Sequence, residues 1–183
     1  FPDAQYRRLR QAMFLWPPEK AHHLGMMGLQ RMLQWPGMST WLRQQPDQGK
    51  PVEIDGILFP NRVGLAAGFD KNARYLSTLS QLGFGHVEIG TVTPLPQYGN
   101  PRPRLFRLPD DHALINRLGF NNDGAVRIAD RLRKRPRSVI VGGNLGKNKA
   151  TPNAEAATDY AFGLEALYEH VDYFTINVSS PNT

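Results

Sequence analysis

The sequence predicts an α/β fold built on a parallel sheet, with a separate helical segment ahead of it. Two observations predict this. From residue 52 onward, short β-prone runs alternate with helical patterns, and strand–helix repetition of that kind builds parallel sheets. Residues 1–45 have a different texture, with Met and Trp set at helical spacing and flanked by arginine.

The elements follow in order. Tyr6, Leu9, Ala12, Met13 and Trp16 fall on one helical stripe, and Pro17-Pro18 ends it because proline cannot continue the hydrogen-bond ladder. A second helix starts at Pro18-Glu19, where proline is tolerated in the first turn. It carries Ala21, Leu24, Met27, Met32 and Leu33, and Trp35-Pro36-Gly37 closes it. Ser39 to Arg43, including Trp41, forms a third short element, and Pro46 to Pro51 reads as a linker. Two amphipathic helices of this composition make either a hairpin packed on a larger domain or a segment lying on a membrane surface. Pattern alone favours the packed hairpin.

Val52 to Phe59 holds Asp55-Gly56 between β-prone residues and predicts a small hairpin. Val63 to Gly68 is the next run, followed by a helix near Tyr75 to Leu82. His86 to Val92 is a strand, and the proline-rich stretch Pro94 to Pro103 follows it. Leu105–Leu108 and Ala113–Asn116 suggest a second hairpin. A helix from Gly124 to Lys134 leads to the strand Val139 to Asn144, and a helix from Asn153 to Glu169 leads to the strand Tyr173 to Ile176. About four parallel strands are too few to close an eight-stranded barrel, and a half barrel leaves open sheet edges. The 183 residues are therefore expected to belong to a longer protein.

Composition narrows the function classes. A hydrophobic share of 40% and a charged share of 21% suit a globular domain with a core. No apolar run reaches membrane-span length, and Arg7, Arg8 and Arg10 interrupt what would be a secretory signal. With no cysteine, these residues hold no disulfide, thiolate metal site or thiol catalyst, and no metal site is expected. The net charge of +6 admits an anionic substrate, an anionic membrane surface or nucleic acid. The basic–aromatic alternation of RNA-binding sheets is missing, so a solvated basic surface is the plainer reading and no nucleic-acid partner is expected.

Four predicted strands end in small or amide residues: Ala66-Ala67-Gly68, Gly90-Thr91, Gly143-Asn144, and Asn177 ahead of Ser180. Glycine and alanine at a strand mouth let a flat ligand approach the backbone, and asparagine offers a donor and an acceptor together. In barrel enzymes the C-terminal strand ends are where chemistry sits. Lys71 is placed to neutralise an anionic ligand, with pairing to Asp70 or plain exposure as the alternatives. The amide-dense stretch Asn116-Arg117-Leu118-Gly119-Phe120-Asn121-Asn122 either meets a ligand or satisfies its own turns. Gly146-Lys147-Asn148-Lys149 lacks the spacing of a nucleotide phosphate loop, which rules out an ATP site.

Five segments occur together and in order: Leu65–Lys71, Glu88–Pro94, Pro103–Arg107, Ile115–Asn122 and Asn177–Thr183. With the helical segment before them, they resemble the N-terminal half of a class 2 dihydroorotate dehydrogenase, the membrane-associated, quinone-reducing kind. The resemblance implies the N-terminal half of a (β/α)8 TIM barrel (residues 46–183) preceded by a helical extension (residues 1–45) for quinone entry and membrane association. It implies FMN as cofactor and oxidation of dihydroorotate to orotate in pyrimidine biosynthesis. Ala67, Gly68, Lys71, Thr91, Asn144 and Asn177 then adjoin the flavin. Lys71, Asn116, Arg117, Leu118, Gly119, Phe120, Asn177 and Asn182 hold the substrate, and Ser180 matches the catalytic base. The absence of cysteine agrees with the serine-dependent class 2. Implied partners are ubiquinone or menaquinone, entering past Met13, Trp16, Leu24 and Met27 with His22 or His23 at the mouth. The remaining C-terminal half of the protein and the cytoplasmic face of the inner or plasma membrane, bound peripherally, complete the picture. The rival readings are another FMN barrel such as a dihydrouridine synthase, and a non-catalytic basic membrane-binding module.

Overall fold

The computed structural model describes residues 3–38, 40 and 49–178. Two helices come first, α1 (Asp3–Phe14) and α2 (Pro18–Leu33). Then follow β1 (Val52–Ile54), β2 (Ile57–Phe59), β3 (Gly64–Leu65), α3 (Leu76–Leu79), β4 (His86–Val92), β5 (Leu105–Leu108) and β6 (Ala113–Asn116). The last elements are α4 (Ala125–Leu132), β7 (Ile140–Leu145), α5 (Ala156–Leu167) and β8 (Tyr173–Ile176). Apart from Thr40, the predicted element Ser39 to Arg43 lies outside the described residues, as do residues 46–48 of the linker.

Strands β3, β4, β7 and β8 form one sheet in that order, every pair parallel. Gly64 pairs with His86, Val87 with Val141, and Asn144 with Thr175. The two predicted hairpins are present as separate antiparallel ribbons, β1–β2 and β5–β6. Some boundaries moved inward for local reasons. Gln81 and Leu82 bond back to Thr78 and Leu79, three residues behind them, so the turn after α3 tightens out of α-helical form before Gly83. Residues Asn153–Glu155 likewise form a 3-10 turn after Pro152, and the α-helix proper starts at Ala156.

Alternation along the strands divides the sheet into two faces. Val87, Ile89, Val141 and Leu145 point one way and pack with Leu76 and Leu79 of α3, Ile128 and Leu132 of α4, and Leu167 of α5. All nine are essentially without solvent contact, and each is stabilised by roughly 1.5–3 kcal/mol on burial. The opposite face carries His86, Glu88, Asn144, Tyr173 and Thr175. There the rings of His86 and Tyr173 lie across neighbouring strands, which Gly64 and Gly142 permit: a Cβ at either position would run into the ring. Phe59 of the β1–β2 hairpin covers both rings, with centroid separations of 5.4 and 6.3 Å.

Helix α2 is seated on this domain. Met26 enters the main core, and Ala21 is buried as well. Gly25 admits α1, since a Cβ there would sit 3.1 Å from Met13 Cε. Tyr6, Leu9, Leu15, Trp16, Leu24 and Met27 keep an exposed apolar face on the pair. No helix among the described residues is long and apolar enough to cross a membrane.

Candidate functional site

The C-terminal ends of β3, β4, β7 and β8 bring polar residues to one place. The backbone N–H of Gly68 donates to the carbonyl of Gly90 at 2.9 Å, joining the first two strand ends. Thr91 Oγ1 donates to Asn144 Oδ1 at 2.6 Å, and Asn177 Nδ2 donates to Thr91 Oγ1 at 3.1 Å and to Asn144 Oδ1 at 3.4 Å. Three residues expected at the site are thus one network spanning three strands. Ala67 and Gly68 edge it with a backbone that lacks bulk. Gly68 has φ +106°, a conformation that disfavours side chains, and a Cβ there would meet nothing within 4 Å.

Beneath the network lies a carboxylate that sequence reasoning did not single out. Glu88 Oε1 accepts from Asn144 Nδ2 at 2.8 Å, while Oε2 accepts from Thr175 Oγ1 at 3.0 Å and Tyr173 OH at 3.3 Å. Burial and the adjacent Glu88 charge push the Tyr173 phenol well above its ordinary range, so it stays a donor. Strand periodicity places Glu88 on the same face as His86, which is the one signal the sequence offered. Tyr160 was also missed; its hydroxyl donates to the Asn177 carbonyl at 2.9 Å and pins the end of β8 to α5.

Lys71 does not pair with Asp70. Asp70 turns its two oxygens to the backbone N–H groups of Arg74 and Tyr75, at 2.8 and 2.7 Å, and so fixes the turn that leads into α3. Lys71 Nζ donates instead to Asn121 Oδ1 at 2.8 Å. Burial, helped by the nearby Arg104 cation and opposed by Glu19, lowers the Lys71 ammonium to about 8. A half-buried cation whose charge is disfavoured in this way is suited to an anionic ligand.

The amide-rich loop after β6 divides into two parts. Asn116 ends β6 opposite Leu105 and is exposed. Arg117 donates from Nη2 to the Pro103 carbonyl at 3.0 Å, and the Leu118 carbonyl accepts from Asn100 N–H at 3.0 Å, so both serve the proline-rich loop. Gly119, at φ +74°, turns the chain inward. Phe120 is buried there, and its ring lies beside Gly146 together with the Thr91 methyl, where a Cβ on residue 146 would strike both. Asn122 serves its own turn, holding Thr93 Oγ1, the Phe120 carbonyl and the Gly124 N–H at 2.7–2.9 Å. Lys147 closes its own loop by donating to the carbonyls of Asn148 and Thr151. Ser180 and Asn182 lie outside the described residues, a few positions past Asn177.

The histidines of α2 meet the same end of the sheet. His22 packs edge-on against Phe69, which follows Gly68, with ring centroids 4.7 Å apart. Burial and the neighbouring His23 push its imidazole below the usual value. His23 Nδ1 and Tyr75 OH are 3.2 Å apart.

Comparison with known proteins gives a consistent result. The family described as "Dihydroorotate dehydrogenase" matches residues 51–183. A protein of Christiangramia forsetii named "Dihydroorotate dehydrogenase (quinone)" is 49% identical over 178 residues, covering 96% of this chain and 52% of its own. One of the same name from Marinobacter nauticus is 49% identical over 97% of this chain and 52% of its own. A crystal structure of DHODH from Eimeria tenella in complex with ferulenol superimposes with a TM-score of 0.77 at 42% identity, covering 91% of this chain and 45% of that one. The chain therefore spans about half the length of the curated relatives it matches.

Proposed function

The chain belongs to the dihydroorotate dehydrogenase family, and from that membership we propose that the protein oxidises dihydroorotate to orotate, a step of pyrimidine biosynthesis, with FMN and a quinone as successive acceptors. One observation carries the proposal. Thr91, Asn144 and Asn177 form a single hydrogen-bonded network at the C-terminal ends of three parallel strands, beside the open backbone of Gly68 and the half-buried Lys71 cation.

The residues fit FMN. A Cβ at Gly68 would fill open space, which is room for a flat ring against the backbone, and the network offers amide and hydroxyl groups to a heterocycle of mixed donors and acceptors. In this reading Ala67, Gly68 and Thr91 lie against the flavin, with Lys71, Asn144 and Asn177 at its polar edge. When bound, FMN supplies the hydride acceptor for the reaction. Orotate and dihydroorotate are held by Lys71, Asn116, Gly119-Phe120, Asn177 and Asn182, with Arg117 and Leu118 positioning the loop. Ser180 Oγ takes the proton from C5 while its own hydroxyl proton passes on through a hydrogen bond toward solvent, and hydride leaves C6 for the bound acceptor. The buried Phe120 ring keeps bulk water from that side, and Lys71 stabilises charge developing on the substrate as the proton leaves.

The proposed organisation is a helical extension over residues 1–45 and the first half of a (β/α)8 barrel over residues 46–183. A second half supplies the four further strands that this fold requires. Ubiquinone or menaquinone enters at the exposed apolar face of Trp16, Leu24 and Met27, near His22 and His23. The same face holds the protein peripherally at the cytoplasmic side of a membrane.

Full-length protein tests the reading directly. It is expected to purify yellow, and dihydroorotate is expected to bleach the flavin absorbance in rapid mixing. Ser180→Ala is expected to slow bleaching by at least about a hundredfold while orotate binding stays near normal. A colourless protein, or flavin that dihydroorotate leaves oxidised, refutes the function.

A further inference from the structure

Arg104 stands at the approach to β5 with its guanidinium buried, its side chain 5% exposed. It meets Glu19 in a two-pronged pair, Nε to Oε1 at 2.8 Å and Nη2 to Oε2 at 2.9 Å. Its remaining arm, Nη1, donates to the carbonyls of Tyr98 at 2.6 Å and Asn100 at 3.2 Å. One side chain therefore ties the first turn of α2 to the loop 98–100. That loop is bonded in turn to the amide-rich stretch: Asn100 donates from its backbone N–H to Leu118 and from Nδ2 to the Arg117 carbonyl. Gly99 is wedged between them, at φ +76°, where a Cβ would strike Arg104 Nη1, the Leu118 carbonyl and Asn121 Cβ. Asn121 is the residue that receives Lys71 Nζ.

We infer that the Glu19–Arg104 pair is a positioning device for Lys71: it fixes the loop that presents Asn121 to the Lys71 ammonium, and so links the anion-binding cation of the site to the seating of α2. This rests on the reading of Lys71 as the group that meets the substrate anion. Glu19 is held ionised, down to about 2, chiefly by its hydrogen bond from Arg104, so the pair persists at any physiological pH. Both partners also act on Lys71 by charge, Arg104 disfavouring its protonated form and Glu19 favouring it.

The other charged groups around Lys71 are accounted for. Arg102 shares Glu19, donating to Oε2 at 2.9 Å. Asp70 is committed to backbone N–H groups, and Arg74 is paired with Asp123. His22 and His23 on α2 face Phe69 and Tyr75, and Lys149 reaches Asn100 Oδ1.

The test reads Lys71 itself in full-length holoprotein, through the pH dependence of amine acetylation at that residue by peptide mass spectrometry. Glu19→Gln leaves the arginines uncompensated, so the Lys71 titration is expected to move down by about half a pH unit or more. Arg104→Gln removes the repelling cation, so the titration is expected to move up by a similar amount. The alkaline loss of orotate affinity is expected to move with it in each variant. Opposite shifts establish the link, because they require the loop to hold both charges of the pair against Lys71, whereas a pair that only stabilised the fold elsewhere would disturb both variants alike. Shifts in the same direction, or no shift, overturn it. The double variant Glu19→Gln, Arg104→Gln keeps a neutral hydrogen-bonded pair and guards against a single variant that fails to fold. Its titration is expected above wild type, and one at or below wild type overturns the inference. Absence of flavin bleaching by dihydroorotate in unsubstituted protein would defeat the proposed function and still leave the labelling result readable.

Discussion

Asn144 gives an amide proton to Glu88 at 2.8 Å and takes the Thr91 hydroxyl proton on its carbonyl oxygen at 2.6 Å. A carboxylate only accepts, so Glu88 dictates which way the Asn144 amide faces. Thr91 Oγ1 and Asn177 Nδ2 then both donate to the Asn144 carbonyl oxygen, and Asn177 also reaches Thr91 Oγ1. The orientation of the proposed flavin-contacting amides is thus set from below by a residue that need not touch the ligand.

Glu88→Ala removes the acceptor for Asn144 Nδ2, Tyr173 OH and Thr175 Oγ1 together. Unsatisfied buried donors cost about 1–3 kcal/mol each at most, so a clear drop in melting temperature is expected. The flavin content after gel filtration is expected to fall in parallel. Glu88→Gln is the sharper probe, since its amide group can donate as well as accept and leaves Asn144 free to reverse. If Glu88→Gln retained flavin as firmly as wild type, orientation by Glu88 would be excluded.

Gly142→Ala would drive a Cβ into the Tyr173 ring, which lies across β7 at that point. Overpacking of this kind costs about 1–3 kcal/mol. The same substitution in a Tyr173→Ala background is expected to cost much less, because the ring is gone. Chemical denaturation of the four proteins gives the coupling energy, and additive effects would show that the contact is not what requires glycine.

The strands were legible where β-prone runs were long. His86–Val92 was expected as it stands, and Tyr173–Ile176 likewise. The strand β3 is only Gly64–Leu65, because the chain leaves the sheet early to form the glycine-edged mouth. Ala67, Gly68, Thr91, Asn144 and Asn177 could be nominated because small and amide residues recur at successive strand ends. Their partners could not. Glu88 sits 56 positions from Asn144, Lys71 50 from Asn121, and Glu19 85 from Arg104. Nothing local marks such pairs, since each depends on how strands register and where α2 docks. Asp70 beside Lys71 even suggested a pairing, but its oxygens are taken by the backbone N–H groups of the turn ahead of α3.

Arg135 and Asp172 join the end of α4 to the start of β8. Arg135 Nη2 reaches both carboxylate oxygens at 3.0 and 2.9 Å, and Asp172 also accepts the Val141 N–H at 2.7 Å. The arginine side chain is 4% exposed, so Asp172→Ala strands a buried cation. A loss of about 3 kcal/mol is expected, the lower end of the range for breaking such pairs because Asp172 itself is partly solvated. Equilibrium unfolding in urea measures it, and a loss below about 1 kcal/mol would mean the pair behaves like a surface bridge.

Lys71, held at about 8 by burial first and by Arg104 second, gives a signed expectation for pH. An anion bound against it raises its pKa, so binding draws in a proton wherever the free group is deprotonated. Below about pH 7 Lys71 is charged in both states, and orotate affinity is expected to be flat with no proton uptake. Above about pH 8 affinity is expected to fall by up to about tenfold per pH unit, with uptake approaching one proton. Titration calorimetry in buffers of different ionisation enthalpy counts that proton directly. Lys71→Arg keeps the charge without titrating, so its affinity is expected to be weaker at neutral pH but to lose this alkaline limb. Zero proton uptake at about pH 9 in the wild type would remove Lys71 from contact with the anion.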